Sequence, residues 1–157
     1  MKPILASLFV VVLGLFGCAE APKPAPAPAA CTPPPADLVT RDLEPGNGDA
    51  VRFRSAVLVS YTGWLYDGCA PDHKGAMFDT SMGKPSISFM LGAGRVIRGW
   101  DEGLIGMKEG GKRLLVIPPE KAYGSGGAPG GKIPPNSTLV FEIETVGIGY
   151  YPPDAKK

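Results

Sequence analysis

The side chains able to do chemistry are few in this sequence, and their spacing excludes more than it proposes. The one histidine, His73, lies in the stretch DGCAPDHKGAM among small and charged residues. No Ser-His-Asp or Cys-His arrangement is readable around it. Cys31 and Cys69, taken with Asp72 and His73, lack the spacing and the rigid scaffold of a metal site. Gly126 to Lys132 has the glycine, four residues, glycine, lysine spacing of a phosphate-binding loop. Ile133 stands where a Ser or Thr would hold Mg²⁺, however, and Pro134-Pro135 forbid the helix that must follow. No cofactor and no metal are therefore expected. What remains is aromatic: Trp100 and Phe141 fall on inward faces by periodicity, where a buried ring is usually core. Tyr123, in the polar turn after Pro118-Pro119, is a better binding candidate because it sits on a loop.

The elements that must position these rings are short and rich in β-formers. Strands are expected over Leu38 to Leu43, over Ala56 to Thr62 ending at Gly63, over Ile87 to Leu91, over Lys112 to Ile117 and over Thr138 to Ile148. Turn signals separate them, the strongest being Pro45-Gly46-Asn47-Gly48. In the last strand Leu139, Phe141, Ile143 and Thr145 share one face. Only Arg98 to Met107 has helical spacing, with Trp100, Leu104 and Met107 on one side and Asp101 and Glu102 early, where the helix dipole favours acids. Several antiparallel strands and one short amphipathic helix imply an α+β domain, a curved antiparallel sheet wrapped around that helix.

The N-terminal part has a different composition. Residues 1–17 carry Lys2 and an apolar run from Ile4 to Phe16, shorter than the roughly 20 residues of a membrane span and built like a secretory signal. The ending LFGC resembles the lipobox of bacterial lipoproteins, which implies cleavage before Cys18 and its lipidation. A plain signal peptide cut elsewhere, or an uncleaved anchor, is the alternative. Ala19 after Cys18 favours the outer membrane by analogy with lipoprotein sorting, the domain then facing the periplasm. Residues 18–36 hold the cysteine and a stretch with seven prolines and no residue able to build a core, so they read as a tether. The folded domain is assigned to residues 37–149 and a polar tail to 150–157. A formal net charge of +1 with scattered lysines and arginines gives no basic stripe, so nucleic acid is excluded as a partner. If Cys18 is lipidated, Cys31 and Cys69 remain either as a disulfide or as two free thiols in a compartment that permits the bond.

The strings VSYTGWLYDG, MFDTS, SFMLGAGRVIRGWDEGLIGMKEGGKR, IPPEKAYGSGG and IPPNSTLVFEIE occur in this order. Together they resemble the FKBP family of peptidyl-prolyl cis–trans isomerases over essentially all of residues 37–148. The resemblance implies a shallow apolar pocket whose walls fall on Tyr61, Phe78, Asp79, Val96, Ile97, Trp100, Tyr123, Ile133 and Phe141, with Trp100 as the floor. It implies that the backbone N–H of Ile97 and the hydroxyl of Tyr123 donate to ligand carbonyls. The partners it implies are proline-containing polypeptides and rapamycin-type macrolide inhibitors, bound by a monomer. The sequence departs from the family pattern at Ile87, at Arg95, often acidic in relatives, and at Lys132 in a glycine-rich loop. A non-catalytic FKBP-like chaperone or binding module is the rival reading.

Overall fold

The computed structural model describes residues 31–150; the expected signal segment, Cys18, most of the tether and all but the first residue of the C-terminal tail lie outside them. Six strands form one antiparallel sheet: β1 (Val39–Glu44), β2 (Ser55–Tyr66), β3 (Lys74–Thr80), β4 (Ile87–Met90), β5 (Lys112–Ile117) and β6 (Leu139–Tyr150). The order across the sheet is β1-β5-β6-β2-β3, and β4 pairs with the other half of β2. Strands β2 and β6 form the spine, paired from Leu65 opposite Leu139 to Ser55 opposite Tyr150 with one register shift between Leu58 and Val59. Alternation along β6 sends Leu139, Phe141, Ile143 and Thr145 to the buried face, as their period of two requires. From β2, Val57 and Val59 join the same core, which closes over Trp100, Leu104 and Met107.

The helix α1 is shorter than its sequence pattern suggests, Arg98–Gly103 instead of reaching Met107. Gly106 turns the chain with φ +77, which a right-handed helix cannot contain. The freed carbonyls are taken up by Arg113 of β5, which donates to Gly103 O at 2.7 Å and Ile105 O at 3.1 Å. The same guanidinium pairs with Asp42 of β1 at 2.5 Å, and it holds the Asp42 carboxyl below its ordinary range. One nearly buried arginine thus fastens the helix to two strands. Close approach of the helix to β5 depends on Gly99, one turn ahead of Gly103: a Cβ on Gly99 would come within 2.3 Å of the Ile117 side chain.

Two expectations are corrected. Strand β2 does not end at Gly63 but runs on to Tyr66, because β3 and β6 pair with its far end on both sides. Strand β3 itself has no counterpart among the expected strands. Its sequence KGAMFDT carries little β-branching and no clean alternation, and its pairing with β2 supplies what local propensity does not.

The chain enters the described part bonded to the domain. A Cys31–Cys69 disulfide, with Cα atoms 4.4 Å apart, joins it to the loop after β2. Thr32 N–H donates to Gly68 O at 3.0 Å, and the Tyr66 hydroxyl donates to the carbonyls of Thr32 and Pro33, each at 3.1 Å. Residues 31–34, within the stretch expected as tether, therefore lie against the sheet.

Candidate active site

Where the helix meets the concave side of the sheet, a cavity of about 190 Å³ opens to solvent. Tyr61 of β2, Phe78 and Asp79 of β3, Val96 and Ile97 ahead of the helix, Trp100 of α1, Tyr123 and Phe141 of β6 line it. The rings pack edge to face: Trp100 stands 5.2 Å from Phe141 at 87° and 5.1 Å from Tyr61 at 74°, and Phe78 stands 5.5 Å from Phe141 at 86°. Such pairs contribute roughly 0.5–1.5 kcal/mol each beyond area burial, so they fix each other's orientation. Trp100, 4% exposed, forms the floor. Its indole N–H has no acceptor among the described residues, so packing rather than a hydrogen bond positions it.

Gly63 makes this packing possible. A Cβ there would lie 2.6 Å from the Phe78 ring and 2.7 Å from that of Phe141. Tyr61 is held in place from both sides. Its backbone pairs with Ile143 across β6, and on the other side Ser81, in the break between β3 and β4, exchanges hydrogen bonds with its N–H at 2.7 Å and its carbonyl at 2.9 Å.

One polar pair lies within the aromatic walls. The Tyr61 hydroxyl donates to Asp79 Oδ2 at 2.5 Å, and Thr80 N–H donates to Asp79 Oδ1 at 2.9 Å. Burial, reinforced by the neighbouring carboxylate, pushes the Tyr61 hydroxyl far above the ordinary tyrosine range, so it stays protonated. The tyrosine's hydrogen bond holds the Asp79 carboxyl below the carboxylate range against the effect of burial, with Thr80, Lys84 and Lys132 adding to it. Neither group changes protonation near neutral pH.

Two donors remain at the mouth. Ile97 caps the start of α1 with φ −62 and ψ 148; its carbonyl receives Trp100 N–H, while its own N–H meets no acceptor among the described residues. Tyr123, 40% exposed, comes from the loop after β5. Of the nine residues singled out in the sequence, Ile133 alone does not line the cavity: it is 4% exposed and packs in the core cluster that also holds Trp100 and Phe141. Ile87 and Arg95, marked in the sequence only as departures, do line it. His73 stands elsewhere, stacked on Tyr66 with ring centroids 4.8 Å apart.

A half-open sheet around a short helix, with an aromatic bowl and hydrogen-bond donors at its mouth, defines a domain that takes a ligand into an apolar pocket. The family description of FKBP-type peptidyl-prolyl cis-trans isomerase matches residues 47–146, and the chain belongs to this family of enzymes. It is 46% identical over 112 residues to an FK506-binding protein of Neisseria meningitidis serogroup B, covering 71% of this chain and 95% of that one. Among solved structures it is similar to FkpA of Escherichia coli, with TM-score 0.61 and 46% identity over 73% of this chain and 49% of the other. It is also similar to a peptidyl-prolyl cis-trans isomerase of Pseudomonas syringae pv. tomato, with TM-score 0.58 and 38% identity over 71% of this chain and 75% of the other.

Proposed function

We propose that the aromatic bowl is where X-Pro peptide bonds rotate, and that Tyr61, Phe78, Asp79, Val96, Ile97, Trp100, Tyr123 and Phe141 carry the reaction, with Ile133 supporting Trp100 and Phe141 from the core. The observation that carries this reading is the convergence of aromatic walls on Trp100 with donors at Ile97 and Tyr123. Rotation about a peptide bond is opposed by a barrier of roughly 18–20 kcal/mol that comes from amide resonance. Twisting takes the nitrogen lone pair out of conjugation and lowers the charge separation of the amide. An apolar wall that replaces water therefore disfavours the planar form relative to the twisted one. The Ile97 N–H and the Tyr123 hydroxyl fix carbonyls of the substrate, and no proton is exchanged. Asp79 accepts from Tyr61 and keeps that ring in its place.

The clients are proline-containing polypeptides of the cell envelope, met by a monomer anchored through acyl chains on Cys18. Support for the anchor is the apolar run ending in LFGC. Acyl chains contribute about 0.8 kcal/mol per buried methylene, and stable anchoring takes more than one chain. The outer membrane facing the periplasm is the setting that Ala19 favours. FK506 and rapamycin-type macrolides are expected to occupy the bowl, since the relatives are named for FK506.

A protease-free isomerisation assay on an X-Pro peptide, with and without FK506, tests the central reading. Catalysis abolished by the macrolide is expected; the absence of catalysis by the folded protein would leave a binding module. For the anchor, a radiolabelled fatty acid is expected to mark the wild type and not Cys18→Ser, and a soluble, unlabelled mature protein would overturn it.

A further inference from the structure

The rim of the bowl is charged on one side of neutral. Arg95 lines the cavity, is exposed, and pairs with no carboxylate among the described residues. Lys84 Nζ lies 3.8 Å from Asp79 Oδ1 and donates to Thr80 O at 3.0 Å, so its charge is already engaged. The one acid among the lining residues, Asp79, is occupied by the Tyr61 hydroxyl and Thr80 N–H. Carboxylates on the neighbouring elements are engaged as well: Asp101 accepts from Gly92 N–H at 2.8 Å, and Glu102 pairs with Lys121 at 2.5 Å and Arg98 at 3.5 Å. Glu120, in the turn before Tyr123, does not line the cavity. Arg95 is thus the charged lining residue left without an ionic partner among the described residues, since Asp79 is paired with Lys84.

Arg95 also lines a second groove, about 610 Å³, that runs along β4 past Ser88, Phe89 and Met90 and shares Ile87 and Val96 with the bowl. Strand β4 pairs only with β2, so its other edge is unpaired in the sheet. With its proline over Trp100, a polypeptide laid along this groove would pass Arg95, because Arg95 borders both spaces. The guanidinium then meets the residue next to the proline, or the one after it.

We propose that Arg95 makes this isomerase select prolines flanked by acidic residues, and that it is the main specificity-determining residue of the rim. The proposal rests on the bowl being the isomerase site. Charge complementarity at a rim discriminates between partners more than it raises affinity overall, and discrimination includes rejecting the wrong charge. Exposed charge pairs of this kind change binding by about 2- to 5-fold each, so two flanking charges give about a 10-fold preference. Salt screens it, because the Debye length falls from about 10 Å at 0.1 M to about 3 Å at 1 M.

The experiment compares three alanine-based peptides that differ only in the residues flanking one proline: Glu-Pro-Glu, Lys-Pro-Lys and Leu-Pro-Leu. For each, kcat/KM is corrected for the uncatalysed rate, and the Glu-to-Lys ratio is read within each variant, so that a general loss of activity cancels. In the wild type at low salt the ratio is expected near 10, falling towards 1 in about 1 M salt. Arg95→Glu is expected to lower the low-salt ratio about 5-fold or more, and Arg95→Ala to fall between. A wild-type ratio near 1, or a ratio that Arg95→Glu leaves unmoved, overturns the proposal. FK506 separates the two readings. If it inhibits turnover of all three peptides while the ratio stays flat, the charge selection fails and the bowl stands; if it inhibits none, the bowl reading itself fails.

Discussion

Of the hollows along strand β2, one under the Tyr61 ring and one at Tyr66 differ in chemistry, and the larger of these two has the weaker claim to it. At Tyr66 a space of about 710 Å³ is bordered by Cys31, Thr32, Pro33, Gly68 and other small or backbone-exposing residues. At Tyr61 the space is about 190 Å³, and five of its walls are aromatic. Each tyrosine has a titratable neighbour, His73 in one case and Asp79 in the other. The Tyr66 hydroxyl fastens the entering chain to the domain, whereas the Tyr61 hydroxyl satisfies a carboxylate inside an apolar wall. For a reaction that needs water excluded and carbonyls fixed, wall chemistry and placed donors matter, and volume does not.

The bowl and the disulfide end of β2 should therefore fail differently when altered. The largest effect is expected at the floor of the bowl. Trp100→Ala removes a buried ring from the core cluster and should cost about 3–5 kcal/mol of stability as well as activity, read from denaturant unfolding and kcat/KM together. At the other end Cys69→Ser opens a disulfide spanning 38 residues, for which chain entropy sets a ceiling of about 4 kcal/mol. Unfolding should move to lower denaturant while kcat/KM stays within about 2-fold of the wild type, since the bond is remote from the bowl; a large activity loss in the still-folded variant would erase the division of labour.

Tyr123→Phe is the sharper probe of the bowl. It removes one donor from a side chain that is 40% exposed, so stability should barely change. A lost neutral hydrogen bond of about 0.5–1.5 kcal/mol corresponds to a fall in kcat/KM of about 2- to 12-fold. Unchanged turnover would remove Tyr123 from the reaction.

The smallest effect concerns acid. Because the folded-state pKa of Asp79 is lowered from 3.8, its contribution to stability is fully present above that value and is lost as pH falls through the lower folded value. Asp79→Asn should differ from wild type in thermal stability at pH 6 and converge with it in strong acid. A gap that widens on acidification would contradict the assigned direction.

Much of this comparison is legible in the sequence, unevenly. Strong alternation along β6 reveals Phe141 as inward, and the family strings bring eight of nine named residues to the bowl. Ile133 escaped because its neighbours in sequence, Lys132 and Pro134, say nothing about whether a loop residue turns to the cavity or the core. Strand β3 escaped because its pairing with β2, not its own residues, makes it a strand, although Phe78 and Asp79 ride on it. Gly63 gave only a turn signal; its actual use, clearance for two rings, depends on partners 15 and 78 positions away in the chain. Arg95 is visible as a departure, but its lack of an ionic partner among the described residues is decided by the tertiary fold.

The central claim is that desolvation and fixed donors rotate the bond without proton transfer. Its most direct test is the pH dependence of kcat/KM, measured on one X-Pro peptide with wild type and His73→Ala. Tyr61 is held protonated and Asp79 ionised across the neutral range, and His73 stacks on Tyr66 outside the bowl. The profile should be flat from about pH 6 to 8 and superimpose for the two proteins. A sigmoidal profile centred near about pH 6.5, present in the wild type and absent in His73→Ala, would contradict both the mechanism and the site.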